Sequence, residues 1–122
     1  MSFYETFDKH MNSIMQKNME EFESTIHPDS ITLILGNGRM IQDRKEFIRF
    51  HKEWFADDDW SIDFKVVKSI VSSDLASVLL KIHYDDLDEN ANSYHFDYYL
   101  QLLFENVDGN WLLLLDQNTN IS

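Results

Sequence analysis

The stretch that most limits how this chain can fold is the closing one. Tyr94 to Phe104 leads across Asn106-Val107-Asp108-Gly109-Asn110 into Trp111 to Asn118. An Asp-Gly pair between two apolar runs is a strong hairpin signal, because a two-residue type I′ turn needs positive φ at both central positions. Two long antiparallel strands follow. With the turn at Asp108-Gly109, Val107 faces Asn110, and unbroken pairing sets Phe104 opposite Leu113, Leu102 opposite Leu115 and Leu100 opposite Gln117. Side chains alternate between faces along a strand, so these residues share one side. Glu105, Leu103, Gln101 and Tyr99, with Leu112, Leu114, Asp116 and Asn118, take the other. One face is nearly pure hydrocarbon and the other is mixed.

The strands before it extend the apolar face. From Trp60 the period is two, with Ile62, Phe64 and Val66 alternating with Asp63 and Lys65, and Ser72-Ser73-Asp74 turns the chain into Leu75 to Asp86. Matching the apolar faces of these two strands requires one extra residue near Val66-Val67, a predicted bulge. Asp85 to Ser93 is a polar turn, and an even register across it sets Tyr84 opposite Phe96, Ile82 opposite Tyr98, Leu80 opposite Leu100, Val78 opposite Leu102 and Ala76 opposite Phe104. A slip of one residue would bury Lys81, His83 and Asp97 instead.

Helical periodicity fills the first half. Phe3, Phe7, Met11, Ile14, Asn18 and Phe22 recur at spacings of three and four, the stripe of a 3.6-period helix. Ser2 and Glu5 form a capping-box pattern. A first helix is expected from about Phe3 to Asn18 and a second from Met19 to about Ser24, before His27-Pro28-Asp29 ends helix. Ile31 to Leu35, Gly36-Asn37-Gly38 and Arg39 to Ile41 read as a small hairpin. Asp43 then caps a helix carrying Phe47, Phe50, His51, Trp54 and Phe55, which ends by Ala56 because Asp57-Asp58-Asp59 would sit badly at the negative end of its dipole.

A chain of 122 residues, 43% hydrophobic, is read as one domain spanning 1–122 with enough apolar side chains for its own core. The absence of cysteine excludes disulfides, thiolate metal sites and a cysteine nucleophile. A formal charge of −12 argues against nucleic-acid and anionic-membrane surfaces. No apolar run approaches the roughly 20 residues that span a bilayer, and Met-Ser-Phe-Tyr-Glu lacks a basic region followed by an apolar one. The expectation is a soluble cytoplasmic protein with an α+β fold, a curved antiparallel sheet covered on its concave face by N-terminal helices.

This order of helices, hairpin, helix and long strands, closing in Asp-Gly-Asn-Trp-Leu-Leu-Leu-Leu-Asp-Gln-Asn-Thr, resembles the SnoaL-like branch of the superfamily of nuclear transport factor two and ketosteroid isomerase, with its cystatin-like fold. The resemblance implies a half-barrel cone, a pocket at its wide end and a homodimer. Many relatives carry histidines in the last strand, at positions that fall here on Leu115 and Gln117. Leucine cannot shuttle protons and a carboxamide does not titrate, so no catalytic residue is assigned.

Gln117 is the one polar residue on the face assigned to the core side of the last strand. A buried carboxamide needs partners, which Tyr84, Tyr98 or a ligand can supply. The candidate ligand-binding residues are therefore Gln117, Tyr98, Tyr84, Phe96, Trp54 and His51; the alternative is a satisfied core glutamine with tyrosines reaching the rim. Gln101 and Asp116, around Leu103, Leu112 and Leu114, form the expected dimer face, although a desolvated carboxylate there could act as a base. His83 facing Asp97 reads as a cross-strand ion pair or as a base with its orienting carboxylate. The run Asp85 to Asn90 lacks the glycine and final glutamate of a calcium loop. No metal or cofactor motif appears. Three readings stand: a small-molecule binder with an apolar, aromatic pocket; an isomerase or lyase that takes a proton next to a carbonyl; and an interaction module using the outer sheet.

Overall fold

The structure is a computed structural model and describes residues 2–121. Its elements run α1 (Phe3–Met15), α2 (Met19–Glu23), β1 (Thr32–Ile34), β2 (Met40–Ile41), α3 (Arg44–Phe55), β3 (Ser61–Val71), β4 (Leu75–Leu87), β5 (Ser93–Val107) and β6 (Asn110–Asn120). The Ser2 hydroxyl accepts from the Glu5 N–H at 3.2 Å, and the Glu5 carboxylate accepts from the Ser2 N–H at 3.4 Å, so the capping box holds the start of α1. The helix stops before Asn18 because Lys17 turns to a φ of 56°. Asn18 caps α2 instead, accepting from the Glu21 N–H at 3.1 Å. Phe3, Phe7, Met11 and Ile14 thus form the buried stripe of α1, and Phe22 reaches the core from a separate helix.

The sheet order is β2-β1-β6-β5-β4-β3, with β2 and β3 as open edges. Its neighbours are antiparallel except β1 and β6, which run parallel, so the expected antiparallel sheet is a mixed one. The reason is the route of the chain: β1 reaches the free edge of β6 from α2 and a loop, with no hairpin to reverse it. Between β3 and β4 the pairing Val66 with Leu80 is followed by Lys68 with Leu79, leaving Val67 as the extra residue. The β4–β5 ladder follows the even register from Tyr84 with Phe96 to Ala76 with Phe104.

The closing hairpin turns as its sequence requires, with φ of 53° at Asp108 and 90° at Gly109, and Phe104 pairs with Leu113. Alternation then breaks. Leu103 pairs with Leu115 and Leu102 with Asp116, so Leu114 is an extra residue on β6. Beyond this bulge Asp116 and Asn118 share the face of Leu102 and Leu100, while Gln117 pairs with Gln101 on the outer face. The expected pairings of Leu102 with Leu115 and of Leu100 with Gln117 are off by one residue. The bulge lies where β6 changes its outer neighbour. Leu113 bonds to the segment before β1, donating to the Thr25 carbonyl at 2.8 Å and accepting from the His27 N–H at 3.0 Å, whereas Leu115 to Gln117 pair with β1.

The helices cover the concave face. Phe3 meets Phe104 and Trp111 edge-on, each at 5.3 Å between centroids, and closes the narrow end. Met11, Phe22, Phe47, Leu80, Ile82, Leu102 and Leu113 are buried behind it, and each contributes about 1.5–3 kcal/mol by leaving water. The β1–β2 turn lies so close to the end of β6 that a Cβ on Gly36 would overlap the Asn120 side chain.

Candidate functional site

Past the narrow end the helices and the sheet diverge and leave a cavity of about 140 Å³. Hydrocarbon makes most of its wall: Ile14 from α1, Leu33 and Leu35 from β1 and its turn, Ile62 from β3 and Leu100 from β5. Phe50, His51 and Trp54 close it from α3, spaced by the three- and four-residue steps that put side chains on one helix face. Trp54 is held from behind, stacked on Trp60 at 4.0 Å and 9°, while the Trp60 indole N–H donates to the Trp54 carbonyl at 2.7 Å. The Lys17 ammonium lies 4.1 Å from the far ring.

The polar groups converge from β5 and β6: Tyr98, Asp116 and Asn118. Asp116 sits between Leu102 and Leu33 in the sheet and is 6% exposed. Burial raises its carboxyl to about 7, against one opposing hydrogen bond from Asn118. The Asn118 amide donates at 2.9 Å to Asp116 Oδ1 and at 2.9 Å to the Ile34 carbonyl, which ties the acid to β1. Asp116 Oδ2 has no hydrogen-bond partner among the described residues. Burial first, and then the nearby Asp116 charge, raises the Tyr98 phenol, which therefore stays protonated and able to donate.

Two buried histidines pack against Phe22. His51 stacks on it at 4.7 Å and His10 lies 5.1 Å from it. Burial lowers both, His51 to about 4 and His10 to about 3, so both are neutral. His10 Nδ1 is 2.8 Å from the Thr25 hydroxyl, which itself donates to the Phe22 carbonyl, so His10 Nδ1 carries the proton. His10 Nε2 is enclosed without a partner. His10 forms no metal-ligand spacing in the sequence, although its spacing of three from Phe7 and four from Ile14 places it on the buried face of α1.

Of the six residues expected around a ligand, His51, Trp54 and Tyr98 border the cavity. Tyr84 and Phe96 share the concave face but lie beyond it, Phe96 exposed and Tyr84 donating its O–H to Asp86. Gln117 does not reach it at all, because the bulge turns it outward. Asp116 is a matching correction: it was expected on the dimer face and lies at the pocket, for the same reason. The polar end of the last strand was visible in the sequence; its inward members were misassigned by one position. His83 Nδ1 donates to the Asp97 carboxylate at 2.7 Å on the exposed outer face, and its Nε2 lies 3.3 Å from the Asp85 carboxylate. The acidic turn satisfies itself, Asp88 accepting from the Asn90 and Asn92 N–H groups. Among the described residues, no group of three or more His, Asp or Glu is arranged to hold a metal, and no helix is long and apolar enough to cross a membrane.

A mixed sheet roofed by helices, with a pocket between them that holds a buried acid, defines the class of α+β domain. The SnoaL-like domain model matches residues 4–116, and the chain belongs to that family. No curated protein matches it in sequence. Its fold recurs in a ketosteroid isomerase-like protein from Erwinia carotovora atroseptica, 12% identical, with a TM-score of 0.81 over 98% of this chain and 93% of that one. An NTF2-like superfamily protein from Salmonella enterica serovar Typhimurium gives 0.78 at 10% identity, over 97% and 87%. A cystatin-like domain of unknown function from Nostoc punctiforme gives 0.74 at 19% identity, over 97% and 74%. At these identities the likeness concerns the fold.

Proposed function

We propose that this SnoaL-like domain binds a small, mostly apolar carbonyl compound and exchanges a proton next to its carbonyl through Asp116. The observation that carries the reading is a buried carboxyl, raised to about 7, on the wall of an otherwise hydrocarbon and aromatic pocket. A base is most effective when its pKa is near the working pH. Asp116 Oδ2, free of protein partners, takes the proton as the C–H bond breaks. The electron pair moves onto the carbonyl oxygen, where the Tyr98 O–H donates to the developing enolate. Asn118 holds Oδ1 and keeps the carboxylate from turning. A cavity of about 140 Å³ admits a ligand of single-ring size, since an apolar void of roughly 150 Å³ takes up benzene.

The test is hydrogen–deuterium exchange next to the carbonyl of cyclopentanone or cyclohexanone in D2O, followed by NMR. Exchange should rise with pH through an apparent pKa near 7. It should fall by about 10²-fold or more in Asp116→Asn. Equal exchange in the variant ends the proposal. A second copy is the proposed occupant of the outer face, where Leu103, Leu112, Leu114 and Leu115 are only half-buried beside Gln101 and Gln117. Sedimentation at micromolar concentration should then show a dimer, and a monomer there removes that part of the proposal.

A further inference from the structure

The proton-transfer reading concerns one wall of the cavity; the opposite wall places a separate demand on the ligand. His51 belongs to α3, and its Nδ1 is 2.9 Å from the carbonyl of Phe47, one turn back on the same helix. A carbonyl only accepts, so Nδ1 carries the proton and Nε2 holds a lone pair. No described residue donates to that lone pair. Burial keeps the ring from being protonated, so it is not satisfied from within. The ring cannot turn over without losing the Phe47 bond, and it packs against both Phe22 and Phe47, at 4.7 Å and 4.3 Å between centroids.

His51 differs from the other buried imidazole in one respect. Among the described residues, His10 Nε2 is the buried side-chain polar atom that is sealed off and unpartnered. His51 Nε2 is unpartnered but not sealed off, and His51 borders the cavity. An acceptor in that position discriminates by what it lacks: a ligand that brings a donor is paired, and one that brings a second acceptor or hydrocarbon leaves the lone pair desolvated.

From this geometry we infer that His51 is a specificity-determining residue, and that the pocket selects single-ring-sized ligands bearing a hydroxyl or N–H that donates to His51 Nε2. Resting on the proton-transfer reading, it narrows the substrate class to small carbonyl compounds that also carry such a donor, as hydroxy-ketones and enolised diketones do.

Phenol and fluorobenzene serve as probes, because they are close in size and only phenol donates. In the wild-type protein labelled with 15N-histidine, saturating phenol should shift the unprotonated Nε2 resonance of His51 upfield as it accepts a hydrogen bond, and fluorobenzene should leave it near its free position. The phenol-to-fluorobenzene affinity ratio should drop by about tenfold in His51→Leu. Equal resonance shifts with both probes, or an unchanged ratio in the variant, overturns the inference. If His51→Leu fails to fold, the wild-type spectrum decides alone. In Asp116→Asn the phenol-induced shift at His51 should persist; its loss would place the hydroxyl on Asp116 and overturn the assignment. A persistent shift without carbonyl-adjacent exchange leaves His51 as inferred and removes only the proton-transfer reading.

Discussion

Two ends of one hairpin, made by the same pair of strands, behave differently. Near the turn, Phe104 and Leu113 are 0% exposed and close against Phe3 and Trp111, with no room between sheet and helix. Beyond Leu114, the same strands present Tyr98, Leu100, Asp116 and Asn118 to a cavity. The first region is held chiefly by apolar packing, with the buried imidazole of His10 lying against Phe104. The second keeps a carboxyl, a phenol and an imidazole nitrogen in surroundings that penalise charge, which is costly for folding and useful only if something enters the cavity. The bulge is the boundary between them. It lets one strand be core at one end and binding wall at the other.

The contrast breaks hardest at the closed end. Phe104→Ala should cost about 3–5 kcal/mol in urea unfolding, since the lost ring leaves a void between Phe3 and His10 that rigid neighbours cannot fill. A loss under about 1 kcal/mol would mean that this end is as loosely packed as the other.

The open end should instead be visible through pH. The Asp116 folded-state pKa of about 7 is raised above its unfolded value, so its contribution is fully present below about pH 4 and is lost as pH rises toward 7. His10 and His51 are depressed to about 3 and 4, so theirs is present above about pH 6.5 and is lost as pH falls. Between about pH 4 and 6.5 the two imidazoles outweigh the one carboxyl. Unfolding free energy should therefore rise with pH at about 1.4 kcal/mol per unit, and at about twice that in Asp116→Asn. Parallel slopes for wild type and variant would show that Asp116 titrates as an ordinary carboxylate.

Asn118→Ala removes the amide that ties Asp116 to β1, at an expected cost of about 1–3 kcal/mol. It should also push the Asp116 carboxyl higher still, because the lost bond favoured the charged form; a carboxyl-carbon NMR titration reads this directly. The smallest effect is expected at Gln117. Gln117→Ala should change stability by less than about 0.5 kcal/mol and leave phenol binding unchanged, since the side chain faces away from the cavity. A marked loss of binding there would place Gln117 inside and undo the assignment of the bulge.

The legible and illegible parts of the site divide at the same residues. His51, Trp54 and Tyr98 were readable because each sits in a segment whose period is unambiguous, helical around Phe47 and Phe55 or alternating around Leu100 and Leu102. Asp116 and Gln117 were exchanged because the run before them, Leu112 to Leu115, is apolar at every position. Either parity buries two leucines and exposes two, so hydrophobic pattern carries no information on which side the strand resumes. The bulge at Val67 could be found because Lys65 and Lys68 mark both sides of it; the one at Leu114 has no such markers.

The chain by itself determined the helices, the type I′ turn, the β4–β5 register and the apolar face they share, because each depends on local periodicity or on a charge that would otherwise be buried. Only the tertiary structure decided the inward carboxyl. Its position rests on the β5–β6 bulge, which coincides with a change of partner on the other edge of β6 between two segments remote in sequence, Thr25 to His27 and β1. Four consecutive leucines are indifferent to that bulge. The β5–β6 ladder is not, and its register sets whether the pocket receives Asp116 or Gln117.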